Sequence, residues 1–226
     1  MQERYIRNAN SISEAETKRL HRMRVAIVGL GGLGGYVAEL LARVGVGTIA
    51  GFDDDTVGKS NLNRQLFATE DALGLSKAEA AGRRIANVNS GTAFTARALR
   101  VTGENAEALI AGVDVIVDCC DNVETRLTLE RAAEALGVPL VHGAIAGWYG
   151  QVGVCFPGDR LMSACYGAAS GKGAEELLGN PSFTPACIAS LEAAQTVKVL
   201  LGKQGVLRGR LLYVDLLDNT FTEIRM

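Results

Sequence analysis

Aromatic residues make up only 5% of this chain, with a single Trp. That scarcity argues against an aromatic-rich β-sandwich. The apolar share of 48% is carried mostly by Ala, Val, Leu and Ile, which suits layers of helix and sheet. No apolar run reaches the roughly 18 residues needed to span a bilayer, and the N-terminal stretch is polar and charged, unlike a secretory leader. Neither sign of charge dominates. With a net charge of −2, nothing points to nucleic acid or to an anionic membrane. The five cysteines are odd in number and lack framework spacing, so they read as reduced thiols of a cytoplasmic protein. Internal repeats and low-complexity tracts are absent. The 226 residues suffice for one domain with a full core.

What is present starts with glycine. The apolar run Val25–Val28 leads straight into Gly29-Leu-Gly-Gly-Leu-Gly34 and then into a helical pattern from Leu33 to Val44. Gly29, Gly31 and Gly34 fit the G-x-G-x-x-G spacing, and Gly32 lies within it. In that pattern the first glycine permits the turn, the second admits a phosphate to the backbone and the third lets helix and strand pack closely. A helix opening there aims free N–H groups and the positive end of its dipole at an anion. A second apolar strand, Thr48–Phe52, closes on Asp53-Asp-Asp55. Asp53 lies about twenty residues past the turn, where an acid accepts ribose hydroxyls.

The next segment departs from a plain dinucleotide binder. Lys59-Ser-Asn-Leu-Asn-Arg-Gln65 is a polar loop of carboxamides around Arg64, whose fork of donors suits phosphate oxygens. Ser76 and Glu79 form a capping box, which puts Lys77 in the first helical turn. The helix dipole disfavours a lysine there, and a bound phosphate would remove the conflict. The helix runs on to Val88. Thr92–Leu99 reads as a strand, 103–111 as a short helix and Val113–Val117 as a buried strand. That strand ends in Asp118-Cys-Cys-Asp-Asn122. Carboxylates at a strand end are costly unless paired or metal-bound. Asp121 is therefore a candidate to hold Mg²⁺ against a triphosphate, with Asn122 orienting a neighbour. Cys119 and Cys120, being adjacent, suit neither a bridge nor a tetrahedral metal site and read as packing residues. His142, after a strand at 139–141, reads as a satisfied strand-end residue. Leu211–Asp215 and Phe221–Ile224 form a hairpin.

In this order the pieces resemble the ThiF/MoeB/HesA family, relatives of the ubiquitin-activating enzymes. The residues that carry the resemblance are Arg4-Tyr-Ile-Arg7, the glycine turn, Asp53-Asp-Asp55, Ser60-Asn-Leu-Asn-Arg-Gln65, Lys77 and Asp118-Cys-Cys-Asp-Asn122. It extends through Gly150-Gln-Val-Gly-Val154 and the last helix, Ser190 to Lys198. The resemblance implies an α/β, Rossmann-like fold: a mostly parallel twisted sheet with helices on both faces and an antiparallel C-terminal extension. It implies a single adenylation domain, 1–226. An arm spans 1–23, a nucleotide-binding half 24–145, and a carrier-binding and dimerisation half 146–226 holds a mobile loop at 168–184. The implied activity is ATP- and Mg²⁺-dependent adenylation of the C-terminal glycine of a ubiquitin-like sulfur carrier, of the ThiS or MoaD type, by a homodimer. Arg64, Lys77 and Asp121 would serve catalysis, joined by Arg7 reaching the neighbouring subunit's triphosphate. Gly29, Gly31, Gly32, Gly34, Asp53, Asp55, Asn61, Gln65 and Asn122 would complete the nucleotide site. Trp148 and Tyr149 are candidates for a carrier-tail channel or a dimer face. Two other readings share the glycine turn: an NAD(P)-dependent oxidoreductase and a non-catalytic nucleotide-binding scaffold.

The chain also departs from the family. Many relatives hold zinc with two Cys-x-x-Cys pairs. Here the first pair would fall at Cys165-Tyr-Gly-Ala168 with one cysteine missing, and the second would lie past Met226, so no structural zinc is expected. Some relatives carry a reactive cysteine in the mobile loop, and this loop has none. Cys187 is the one thiol placed to substitute, near a helix start that would lower its pKa.

Overall fold

The structure, a computed structural model, describes residues 2–167 and 173–226. A 3-10 turn (Glu3–Asn8) and α1 (Glu14–Leu20) precede β1 (Arg24–Val28), α2 (Gly32–Val44), β2 (Thr48–Phe52), α3 (Lys77–Val88), β3 (Ala93–Arg97), α4 (Ala106–Ile110) and β4 (Val115–Asp118). Then come α5 (Val123–Leu136), β5 (Leu140–Ala146), β6 (Tyr149–Cys155), α6 (Leu161–Tyr166), α7 (Glu175–Leu178), α8 (Phe183–Leu201), β7 (Arg210–Asp215) and β8 (Thr220–Arg225). Among the described residues the strands form one sheet in the order β3-β2-β1-β4-β5-β6-β7-β8. The first five are parallel and the last three antiparallel.

The apolar run of β1 has no alternation because both of its faces are covered. Val25 and Ile27 face the layer of α2, α3 and α8, whereas Ala26 and Val28 face the layer of α4, α5 and α6. Local signals set the helix ends. Ser13 and Glu16 make both halves of a capping box, Ser76 Oγ accepts the Glu79 N–H, and Gly45 closes α2 in the left-handed conformation. Asn122 caps α5 by accepting the Thr125 N–H.

Two regions differ from the pattern read in the sequence. The strand expected to end at Val141 continues to Ala146 and returns as β6. Glycine hides this hairpin, because α8 lies directly on it. A Cβ on Gly143 would meet the Glu192 carboxylate at 2.2 Å, and one on Gly150 would meet Ile188 at 2.3 Å. Of the expected loop 168–184, residues 168–172 lie outside the described residues. The rest holds α7 and the first residues of α8.

Candidate active site

The strand order reverses at β1, with β2 on one side and β4 on the other. Ligands of open α/β sheets bind outside the carboxyl ends at such a point. The glycine turn lies there. Gly29 has φ +90° and donates its N–H to Phe52 O at 2.8 Å. A Cβ on Gly29 would stand 2.5 Å from Cys119 O, and one on Gly34 only 1.8 Å from Gly29 O. Strand β4, the turn and α2 are therefore in backbone contact. The N-cap of α2, Gly31, supplies no capping side chain, so the first-turn N–H groups remain available to an anion.

The β2 end and the following loop supply the facing groups. A Cβ on Gly31 would come within 3.3 Å of Gln65 Nε2 and 3.9 Å of Lys77 Nζ, so both side chains face the turn. Lys77 is nearly buried. Its ammonium pairs with Asp55 Oδ2 at 2.8 Å and lies 3.8 Å from Asp53 Oδ1. These two acids relieve the helix-dipole conflict that the sequence pattern assigned to a phosphate. Asp53 Oδ2 accepts the Leu30 N–H at 2.7 Å and Oδ1 accepts the Asp55 N–H at 2.9 Å, so this acid holds the glycine turn itself. Burial raises its carboxyl above the usual value by more than Lys77 and the two N–H donors lower it. Arg64 donates from Nη1 to Ser60 O and Asn63 Oδ1, at 2.9 and 3.0 Å. Asn61 Oδ1 accepts the Gly58 N–H and shapes the loop.

On the β4 side, Asp121 is exposed and accepts a 3.3 Å hydrogen bond from Asn122 Nδ2. Asp118 is fully buried. Its Oδ2 accepts from His142 Nδ1 at 2.8 Å and its Oδ1 from the Cys120 N–H at 3.0 Å. Burial alone would lift the Asp118 carboxyl, but His142 and the Arg126 charge hold it below its usual value. Burial also pushes the His142 imidazole down, so the ring is neutral and accepts at Nε2. Arg126, Glu130, Gln151, Tyr166 and Glu192 complete this polar interior, and motif reasoning missed all five. Their signal was present as polar residues on apolar faces: Arg126 and Glu130 are four apart on α5, and Glu192 interrupts the apolar α8. Glu130 accepts the Met162 and Ser163 N–H groups at 2.6 and 3.0 Å, which anchors the start of α6.

Glu192 is fully buried and its Oε2 has no hydrogen-bond partner. Burial, helped by the nearby Asp118 charge, raises its carboxyl well above the usual range. The folded chain therefore keeps a proton that the unfolded chain releases above about pH 4.3. Its contribution to stability falls as pH rises beyond that point, until the folded group titrates. Glu192→Gln removes this slope. Between about pH 5 and 8 the difference in Tm should move steadily in the variant's favour, and parallel Tm curves would contradict a protonated Glu192.

Of the remaining expected site residues, Arg7 lies apart from the crevice, whereas the first turn of α8 borders it, with Pro185 Cβ 3.7 Å from where a Cβ on Gly32 would stand. Tyr5 is buried against Gly45 at the far end of α2, and Arg7, two residues on, is exposed there. Cys187 is half-buried in the first turns of α8, and burial raises its thiol rather than lowering it. Trp148 is exposed and packs on Phe183 at 4.4 Å, and Tyr149 stacks on Tyr213. Every residue of β8 is exposed, with Phe221 and Ile224 among them. A groove of about 680 Å³ runs between α2 and α8 beside Ser11 and Ile12. Among the described residues no helix is long and apolar enough to cross a membrane.

A family model described as the ThiF family matches residues 5–226, nearly the whole chain. The chain belongs to the ThiF family. Similar proteins carry names that point to chemistry. A "sulfur carrier protein adenylyltransferase" of Thermus thermophilus is 37% identical over 220 residues, covering 92% of this chain and 80% of that protein. A "SAMP-activating enzyme E1" of Haloferax volcanii is 35% identical over 209 residues, covering 91% and 77%. The fold matches that of Escherichia coli MccB, solved with succinimide, at a TM-score of 0.86. The identity there is 20%, with coverage of all of this chain and 72% of MccB.

Proposed function

We propose that this chain is an ATP-dependent adenylyltransferase. It activates the C-terminal glycine carboxylate of a small ubiquitin-like sulfur carrier, of the ThiS or MoaD type, and releases pyrophosphate. One observation carries the reading. Gln65 and Lys77 face the glycine turn, and the backbone of Cys119 and Cys120, which leads to Asp121, packs on Gly29 at the switch point of a ThiF-family sheet.

The chemistry needs alignment and charge neutralisation more than proton transfer. A C-terminal carboxylate, with a pKa near 3.5, is already ionised at neutral pH and attacks the α-phosphorus without a general base. Arg64 and Lys77 hold phosphate oxygens, Lys77 exchanging Asp55 for phosphate. The α2 N–H groups and the glycine turn cradle the nucleotide, and Asp53 and Asp55 face its ribose side. Asp121 fits magnesium: it is an exposed carboxylate three residues past the carboxyl end of β4, and its neighbour's backbone packs on the glycine turn. Magnesium is commonly held by one or two carboxylates together with substrate phosphates. When bound, it neutralises charge on the triphosphate. A nicotinamide oxidoreductase would leave Arg64, Lys77 and Asp121 without a task. The exposed strand β8, with Phe221 and Ile224, and the Trp148–Phe183 pair offer apolar surface to a carrier.

The working form is a homodimer in which Arg7 serves the neighbouring site. Support comes from its position. The 13 residues of α2 separate Tyr5 from the glycine turn by about 20 Å, and two residues of chain reach at most about 7 Å. The groove between α2 and α8, next to the N-terminal arm, gives a second copy an apolar face.

Two experiments test this. Incubated with ATP, a ThiS- or MoaD-type carrier should gain the mass of one adenylyl group, and a carrier lacking its last glycine should not. An equal mixture of Arg7→Ala and Asp121→Asn chains should regain about a quarter of wild-type activity, because half of the random dimers keep one whole site. No recovery after subunit exchange would exclude Arg7 acting in trans.

A further inference from the structure

The peptide leading into Asp121 is held from both sides. The Cys120 N–H donates to Asp118 Oδ1 at 3.0 Å, and Cys120 O accepts from Arg126 Nη2 at 2.7 Å. The holding groups belong to a longer chain of contacts. His142 joins Asp118 on one side and Tyr166 on the other, with Nε2 3.0 Å from the Tyr166 hydroxyl, and Gln151 Nε2 donates to that same hydroxyl. The Arg126 guanidinium also lies over the Tyr166 ring, 5.0 Å from its centroid. The neutral His142 fixes the directions: Tyr166 donates to Nε2 and Nδ1–H donates to Asp118. Four hydrogen bonds and one cation–π contact thus run unbroken from the last residue of α6 to the backbone of Cys120.

The other end of the connection between α6 and α8 meets the opposite side of the crevice. Asn180 O accepts from Asn63 Nδ2 at 3.1 Å, while Asn63 Oδ1 accepts from Arg64 at 3.0 Å. The Gly147 N–H donates to Gly179 O at 2.7 Å, which fixes that end on the β5–β6 turn. The two anchors of one connection are therefore wired to the two groups proposed to meet magnesium and phosphate.

We propose that Arg126 and Tyr166 on one side, and Asn63 on the other, are positioning residues that couple the α6–α8 connection to the placement of Asp121 and Arg64. None of the three is placed to act as an acid, base or nucleophile. Each sets where a group that meets the nucleotide stands. The inference rests on the adenylylation reading for its consequence, though not for its geometry.

Tyr166→Phe keeps the ring under Arg126 and removes only the hydroxyl. A hydrogen bond with a net worth of about 1 kcal/mol corresponds to about fivefold in an equilibrium. In Tyr166→Phe the magnesium concentration needed for half-maximal ATP binding should rise about fivefold. Affinity for ATP in excess chelator should stay within about twofold. Amide-exchange protection of residues 119–122 should fall, although the substitution lies in α6. Asn63→Ala should weaken ATP binding with or without magnesium and leave protection at 119–122 unchanged. Unaltered magnesium dependence and protection in a folded Tyr166→Phe chain would overturn the coupling on that side. Unaltered ATP affinity in Asn63→Ala would overturn it on the other. If the wild-type chain bound no Mg·ATP, the proposed function would fail, and the exchange protection of 119–122 would still decide the coupling to Asp121.

Discussion

Asp121→Asn lowers carrier-dependent adenylation by about 10²–10³-fold or more, the scale of losing one preorganised charged group at a reacting phosphate. The fold stays intact. The side chain is exposed and accepts a 3.3 Å hydrogen bond from its neighbour's side chain, Asn122 Nδ2, so its neutralisation orphans no buried group. Lys77→Ala is a poorer test of the same site. It would leave the largely covered carboxylate of Asp53 without the cation 3.8 Å away, a loss of stability that water offsets at the exposed Asp55. Loss of activity there would mix chemistry with stability. Matched melting curves for wild type and Asp121→Asn, alongside adenylation rates, check the prediction. Near-normal rates would remove magnesium from Asp121.

Gly34→Ala produces a large loss of stability. Its Cβ would stand 1.8 Å from Gly29 O, and a backbone atom cannot rotate away as a side chain can. Either α2 shifts off β1 or the glycine turn opens. Overpacking of this kind costs about 1–3 kcal/mol where side chains can yield and more where they cannot. For a domain of this size each kcal/mol moves Tm by about 2–4 °C, so a cost above about 3 kcal/mol should lower the Tm of Gly34→Ala by at least about 6 °C. Gly82 is the matched control. It sits inside α3 with open space around its Cβ position, and Gly82→Ala should gain about 0.5–1 kcal/mol. Equal Tm values for the two variants would contradict the contact between turn and helix.

Much of the nucleotide half is legible because its signals are local. The apolar run of β1, the glycine spacing and the Ser13 and Ser76 caps each act within a few residues and each appears in the structure. The second half is less legible, since its pattern answers to distant neighbours. Glycines in β5 and β6 look like loop residues until α8 is known to lie on them. Asp118 and Asp121 look alike in sequence, yet burial beside His142 and Arg126 makes one structural and leaves the other at the surface. The first-turn position of Lys77 likewise calls for an anion, and the structure supplies two from its own chain. Arg126, Tyr166 and Gln151 carry no motif, because a buried network is defined by which strand ends meet.

ATP–pyrophosphate exchange tests the central claim most directly. It is run with a ThiS-type and a MoaD-type carrier in turn, each beside a copy lacking its terminal glycine. The account predicts exchange that depends on one intact carrier and vanishes with the shortened copy and with Asp121→Asn. ATP binding without exchange in the presence of either carrier would contradict it.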